Sequence, residues 1–169
     1  MHSLTVTFGT PAEYTMLLRY GADYLTLHRS WKHVYVGGEL VTDHLITEFH
    51  QRLGHYCPKI TIAYGPTEAG GVVCTRSLPG NEDSTMEGNV GKPFPNTALY
   101  IIDDELNLLP SGFSGEICVG GGVVGLGYLD ISMAEGKFID NPFASADYRA
   151  RGWTQTSPSL WRSCSSLVP

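Results

Sequence analysis

The chain of 169 residues carries 11 Lys and Arg against 17 Asp and Glu, a net charge of −6, with 42% hydrophobic and 17% charged residues. This is the composition of a soluble globular protein, and an acidic balance without a Lys/Arg cluster excludes a chain that holds nucleic acid by its net field. The start, Met1-His2-Ser3-Leu4-Thr5, has no basic region leading into an apolar run, and no stretch reaches the ~18 apolar residues of a membrane span, so a reducing cytoplasmic setting without a membrane partner is expected.

Residues 12–20, Ala-Glu-Tyr-Thr-Met-Leu-Leu-Arg-Tyr, are predicted as a short helix capped by Thr10, opened by Pro11 and closed by Gly21. The run His33-Val34-Tyr35-Val36 is β-branched and aromatic and ends at Gly37-Gly38. Asp43–Leu53 follows, with Leu45, Ile46, Phe49 and Leu53 at helical spacing, giving strand, glycine turn and helix in succession. His50, His55 and Cys57 raise the question of a metal, but no second ligand pair stands at metal spacing, and surface histidines are the simpler reading. Lys59–Ala63 is predicted as a second strand and Val72–Thr75 as a third, after the turn containing Gly65-Pro66. Residues 1–85 are therefore expected to form part of an α/β layer.

Turn residues dominate from Gly80 to Asn96, after which strands are predicted at Ala98–Ile102 and Gly115–Val119. These make residues 86–154 a small β-rich, barrel-like subdomain. From Tyr148 onward the chain has no acidic residue and no hydrophobic period, and residues 155–169 are expected to be an unfolded tail, read in a foreign frame. Cys57, Cys74, Cys118 and Cys164 form no Cys-x-x-Cys pair and read as free thiols rather than a zinc or redox site.

Two glycine-bearing motifs compete for the function. Gly120-Gly121-Gly122-Val123-Val124-Gly125 satisfies the Gly-x-Gly-x-x-Gly fingerprint of dinucleotide enzymes and follows the apolar run Ile117-Cys118-Val119. In so glycine-rich a chain that pattern is expected about 0.3 times by chance, and Gly127 would weaken the helix such a site needs in order to aim its N-terminus at pyrophosphate. Ala63-Tyr64-Gly65-Pro66-Thr67-Glu68 is far less expected by chance. Its chemistry is coherent, because a strand delivers a Tyr able to stack on a base, and a sharp turn then projects a hydroxyl suited to a phosphate oxygen and a carboxylate suited to Mg²⁺. A surface turn capped by Thr67 is the plain alternative.

In this order the motifs resemble the adenylation domain of a nonribosomal peptide synthetase, in the adenylate-forming superfamily. Phe8-Gly9-Thr10-Pro11 with Leu17-Leu18-Arg19-Tyr20-Gly21 resembles the threonine-proline helix of fungal synthetases, especially polyketide–peptide hybrids. Val34-Tyr35-Val36-Gly37-Gly38-Glu39 resembles the family's Gly-Gly-Glu turn, Tyr64 to Glu68 its Tyr-Gly-Pro-Thr-Glu motif, and Asn89-Val90-Gly91-Lys92-Pro93 the glycine-proline turn that follows. Gly115-Glu116-Ile117-Cys118-Val119-Gly120-Gly121 through Gly127-Tyr128-Leu129 is similar to its Gly-Glu-Leu…Gly-Tyr-Leu block.

The resemblance implies a partial large-domain core of the adenylate-forming fold, an α/β layer followed by a β-barrel-like subdomain. It implies an ATP-dependent ligase that joins an amino acid or other small carboxylic acid to AMP and passes the acyl group to phosphopantetheine on a carrier domain. By the same resemblance Tyr64 stacks adenine, Gly38 and Glu39 lie along the nucleotide, Thr67 meets the α-phosphate and Glu68 holds Mg²⁺. Phe8, Val34, Val36, Ala63, Gly71 and Val72 would wall the acyl pocket. A family member also needs a phosphate loop and an amine-holding Asp before Thr10-Pro11, then a ribose-binding Asp and a catalytic Lys later. None is present in this sequence, so the chain alone is expected to be inactive. An acyl-CoA-synthetase-like fragment and a non-catalytic remnant or interaction protein are the alternatives, with the dinucleotide oxidoreductase last.

Overall fold

The computed structural model describes residues 4–27, 30–78, 88–146 and 160–167, which form two compact units. The first comprises Met1–Tyr64 and Cys74–Lys92, the second Gly65–Val73 and Pro93–Pro169. This differs from a single boundary at 85/86. The loop after Tyr64 leaves the first sheet and bonds within the second unit, where the Val73 carbonyl accepts from the Phe94 N–H at 2.9 Å.

The first unit opens with β1 (Val6–Gly9), α1 (Pro11–Leu27), β2 (His33–Gly37), α2 (Asp43–Leu53), β3 (Lys59–Tyr64) and β4 (Cys74–Ser77). Strands β1, β2 and β3 run parallel, β4 returns antiparallel on β3, and β5 (Lys92–Pro93) completes a five-stranded sheet in sequential order. Each parallel pair is joined by a helix, the crossover such pairing requires. Both helices cover one sheet face. Tyr14 and Leu18 of α1, and Leu45, Phe49 and Leu53 of α2, pack with Val34, Val36, Ile60 and Ile62 in one buried cluster.

Helix α1 begins at a reciprocal cap. The Thr10 N–H donates to Glu13 Oε2 at 2.7 Å and the Glu13 N–H to Thr10 Oγ1 at 3.3 Å. It does not stop at Gly21 but runs to Leu27, because a glycine costs a helix interior only about 1 kcal/mol and Leu25 beyond it packs against the core. Helix α2 has the predicted bounds, capped by Thr42, whose hydroxyl accepts from the Leu45 N–H, and ended by Gly54 at φ 54°. Strand β4 starts at Cys74, two residues later than expected, and β1 was not anticipated.

The second unit carries a four-stranded antiparallel sheet in the order β6-β7-β9-β8, formed by β6 (Thr97–Ile102), β7 (Gly115–Gly121), β8 (Phe138–Ile139) and β9 (Leu160–Leu167). Strand β9 corrects the expectation of an unfolded tail over 155–169. It pairs with β7 on one side and β8 on the other, and Leu160 is fully buried with Ile102 and Cys118. The Arg162 guanidinium meets the Glu116 carboxylate at 2.6 Å. A sequence without hydrophobic period becomes a strand here because β7 and β8 supply its hydrogen-bond partners on both sides. The remainder of that expected tail lies outside the described residues, as do Tyr148–Thr154 and most of the turn-rich stretch after Leu78.

Candidate functional site

Strand alternation fixes which side chains the first sheet offers to a ligand. On β2, Val34 and Val36 are fully buried beneath α1 and α2, so they serve the hydrophobic core. Val34 and Val36, expected as pocket walls, thus lie on the helix-covered side of the sheet. The opposite face carries Tyr35 and Gly37 instead, since successive side chains point to opposite sides of a strand. Register extends that face sideways. Phe8 stands beside Tyr35, Tyr35 beside Thr61 and Thr61 beside Ser77, with Gly37, Ala63 and Thr75 forming the next row. Phe8 is 62% exposed at the edge, while Ala63 is buried outside the helix-side cluster. Tyr35 and Gly37, on this face, were not among the expected site residues. The period of two running through Val34 and Val36 was the available signal.

At the end of β2 the chain turns at Gly37-Gly38. A Cβ on Gly37 would run into the Ala63 carbonyl, and Gly38 adopts φ 86°, which glycine takes without strain. Gly38 and Glu39 are both exposed at this turn. On the neighbouring strand Tyr64 is half-buried and register-paired with Cys74, and burial, together with Cys74, pushes its phenol above the ordinary tyrosine value. The Tyr64 ring thus stays neutral and offers a π face.

In the second unit Gly65-Pro66 leads into a single 3₁₀ turn, Thr67–Ala69, closed by Gly70 at φ 78° and Gly71 at φ 85°. The Ala69 and Gly71 N–H groups donate to the Pro66 carbonyl at 3.1 and 2.9 Å. A Cβ on Gly65 would lie 2.6 Å from Val73 N and 2.7 Å from Val72 Cα, both backbone atoms that cannot swing aside. Gly65→Ala is therefore expected to destabilise the chain by about 1–3 kcal/mol and to shift this turn, read as a lower urea midpoint. A midpoint equal to wild type would refute the close packing.

Thr67 is exposed and Glu68 half-buried on this turn, with Gly71 exposed and Val72 half-buried just after it. The Glu68 carbonyl accepts the Gly125 N–H at 2.7 Å, and the Glu68 carboxylate accepts the Tyr128 phenol through Oε1. Among the described residues the other oxygen, Oε2, takes no hydrogen bond. A hard, half-exposed carboxylate oxygen is the kind of donor Mg²⁺ takes from protein when phosphates and waters supply the rest, so Glu68 fits that ion.

The glycine fingerprint at 120–125 takes a different form from the dinucleotide one. Its first glycines lie in β7, which is antiparallel to both neighbours, and turns rather than a helix follow. Its third glycine instead reaches Glu68. Burial pushes the Cys57, Cys74 and Cys118 thiols up to about 11, leaving them protonated and unreactive at neutral pH. Among the described residues no three His, Cys, Asp or Glu side chains gather where they could hold a metal, and no helix is long and apolar enough to cross a membrane.

Comparison with known proteins identifies the family and the fold. The family model of AMP-binding enzymes matches residues 1–129. The hybrid PKS-NRPS synthetase lepA of Aspergillus flavus is 44% identical over 154 residues, which is 90% of this chain and 4% of that protein. Cyclo-acetoacetyl-L-tryptophan synthase of Aspergillus oryzae is 41% identical over 152 residues, again 90% of this chain and 4% of the relative. The chain thus spans a small part of these curated relatives. Among solved structures, the N-terminal subdomain of Klebsiella oxytoca NpsA, in complex with 3-hydroxybenzoyl-AMSN, superposes with a TM-score of 0.71 at 20% identity. The match covers 96% of this chain and 36% of that one. PA1221, an NRPS protein containing adenylation and PCP domains, gives 0.72 at 18% identity, covering 95% of this chain and 30% of that one. With the fold shared and the family model matched over most of its length, the chain belongs to the AMP-binding, adenylate-forming enzyme family, beside the adenylation regions of fungal hybrid polyketide–peptide synthetases.

Proposed function

We propose that this chain supplies nucleotide- and acyl-binding elements of an adenylating ligase that activates an amino acid or other small carboxylic acid. In that reaction a carboxylate oxygen attacks the α-phosphorus of ATP, pyrophosphate leaves, and the acyl-adenylate then yields its acyl group to a phosphopantetheine thiol on a carrier domain with release of AMP. Chemistry at phosphorus is mostly positioning and neutralisation of charge. The Tyr64–Glu68 segment carries the reading, because it places a neutral, half-buried aromatic ring and a fixed, half-exposed carboxylate within five residues of chain.

Tyr64 stacks adenine, Gly38 and Glu39 lie along the nucleotide, Thr67 donates to the α-phosphate and Glu68 holds Mg²⁺, which when bound neutralises phosphate charge. For the acyl group, Phe8, Tyr35 and Ala63, on the sheet face opposite the helices, stand in place of Val34 and Val36. Gly71 and Val72, on the loop after β3, are assigned to the acyl group as well. The side chains involved are apolar or uncharged, which suits an uncharged acyl side chain. The synthetase relatives favour carrier loading over the acyl-CoA alternative.

Titration of the full chain with Mg·ATP tests the nucleotide role. Stacking of one base on an aromatic ring is worth about 1–3 kcal/mol, so Tyr64→Ala is expected to raise the Kd about 5- to 150-fold. An unchanged Kd removes Tyr64 from the site.

A further inference from the structure

The proposed role of Glu68 leaves unanswered what holds its carboxylate still. Glu68 sits on an isolated 3₁₀ turn of three residues, too short to fix a long side chain by itself. Two bonds from one distant segment supply the constraint. The Gly125 N–H donates to the Glu68 carbonyl at 2.7 Å, and the Tyr128 phenol, 60 residues away in sequence, donates to Glu68 Oε1. A Cβ on Gly125 would stand 3.1 Å from that same carbonyl oxygen, so the glycine permits the approach.

Tyr128 is itself held. Its ring meets Phe138 of β8 edge to face, with centroids 5.3 Å apart and planes at 85°, and the Lys137 ammonium lies 5.6 Å from its centroid. We infer that Tyr128 is a positioning residue: with Gly125 it clamps the Glu68 turn and aims the free carboxylate oxygen at the metal-nucleotide. The inference rests on the proposed nucleotide site and adds to it a residue that touches neither ATP nor the acyl group. Mg²⁺ demands near-ideal octahedral geometry, so a carboxylate with one oxygen already fixed presents the other in a single direction.

The test uses the full chain, titrated calorimetrically with ATP in the presence and absence of Mg²⁺. Tyr128→Phe keeps the ring and removes the donor. It is expected to weaken Mg·ATP binding roughly tenfold, the scale of one hydrogen bond to a charged group, while leaving metal-free ATP binding and the thermal midpoint near wild type. In a Glu68→Gln background the same change is expected to add nothing further. Amide exchange at Gly125 reads the clamp without nucleotide, and it should speed up at least several-fold in Tyr128→Phe. Equal Mg·ATP affinity in wild type and Tyr128→Phe, additive effects of the two substitutions, or an unchanged Gly125 amide would each overturn the inference alone. A wild-type chain that takes up no Mg·ATP would instead overturn the nucleotide-site reading, and the inference with it.

Discussion

A chain ended after residue 159 is expected to lose the cooperative fold of its second sheet. Strand β9 lies between β7 and β8, so its removal strips one ladder from β7 and leaves the two-residue β8 without a neighbour. It also uncovers Ile102 and Cys118, which Leu160 seals. Glu116 also loses the Arg162 guanidinium that now meets its carboxylate at 2.6 Å. The single substitution Leu160→Ala removes only the apolar plug and is expected to cost about 2–5 kcal/mol, a large share of the roughly 5–15 kcal/mol that holds a domain folded. Hydrogen exchange read at the β6 and β7 amides tests both variants. Protection should fall markedly in Leu160→Ala and nearly vanish in the shortened chain, whereas full protection in the shortened chain would make β9 a bystander.

Phe49→Ala is expected to cost about 3–5 kcal/mol, the range for losing a large aromatic from a closed core. Phe49 is fully buried on α2, and its ring centroid lies 5.5 Å from that of Tyr14 and 6.3 Å from that of Trp31. Its loss also disturbs a polar node, for the Tyr14 phenol and the Trp31 indole both donate to Thr7 Oγ1, at 2.8 and 3.1 Å. This joins α1 to β1 and to the segment before β2. Urea unfolding followed by Trp fluorescence and by far-ultraviolet circular dichroism measures the loss. Leu129→Ala, at a fully exposed side chain, serves as the reference and should stay within about 0.5 kcal/mol of wild type. A Phe49→Ala cost below about 1 kcal/mol would mean that α2 does not close this core.

Local signals explain which parts of the fold were legible in the sequence. Helix α2 was, because Leu45, Phe49 and Leu53 repeat at helical spacing between its cap and a glycine stop. Strands β2 and β3 were, because short β-branched runs ended at glycine or at the Tyr64 turn. Strand β1 was not anticipated. Leu4-Thr5-Val6-Thr7-Phe8 does alternate apolar and polar residues, a strand signal that was passed over, and Val6–Gly9 pairs in register with His33–Val36. Strand β9 was missed because Leu160–Leu167 has no hydrophobic period and becomes a strand through its pairing with β7 and β8, and Gly21 was read as a stop although the packing of Leu25 outweighs its local cost.

For the candidate site, Tyr64 to Glu68 could be read as chemistry in one stretch. Assigning Val34 and Val36 to the ligand face could not be checked without knowing which side the helices cover. The bond from Tyr128 to Glu68 joins positions 60 residues apart and leaves no periodic trace. Gly125 and Tyr128 both lay within the block likened to the family's Gly-Glu-Leu…Gly-Tyr-Leu stretch, but nothing local tied either to Glu68.

The interleaving of the two units along the chain bears on how such proteins are inherited and redesigned. Neither unit is one continuous segment, since Gly65–Val73 interrupts the first and Cys74–Lys92 interrupts the second. A single recombination breakpoint within this region therefore cannot exchange one unit and leave the other intact. Residues 65–73 are an exception with practical value, because the residues that bracket them, Tyr64 and Cys74, are register partners on adjacent strands. The loop leaves and rejoins the first sheet at paired positions, while Gly125, Tyr128 and Phe94 bond it within the second unit, so exchanging it between relatives calls for matching those three partners as well.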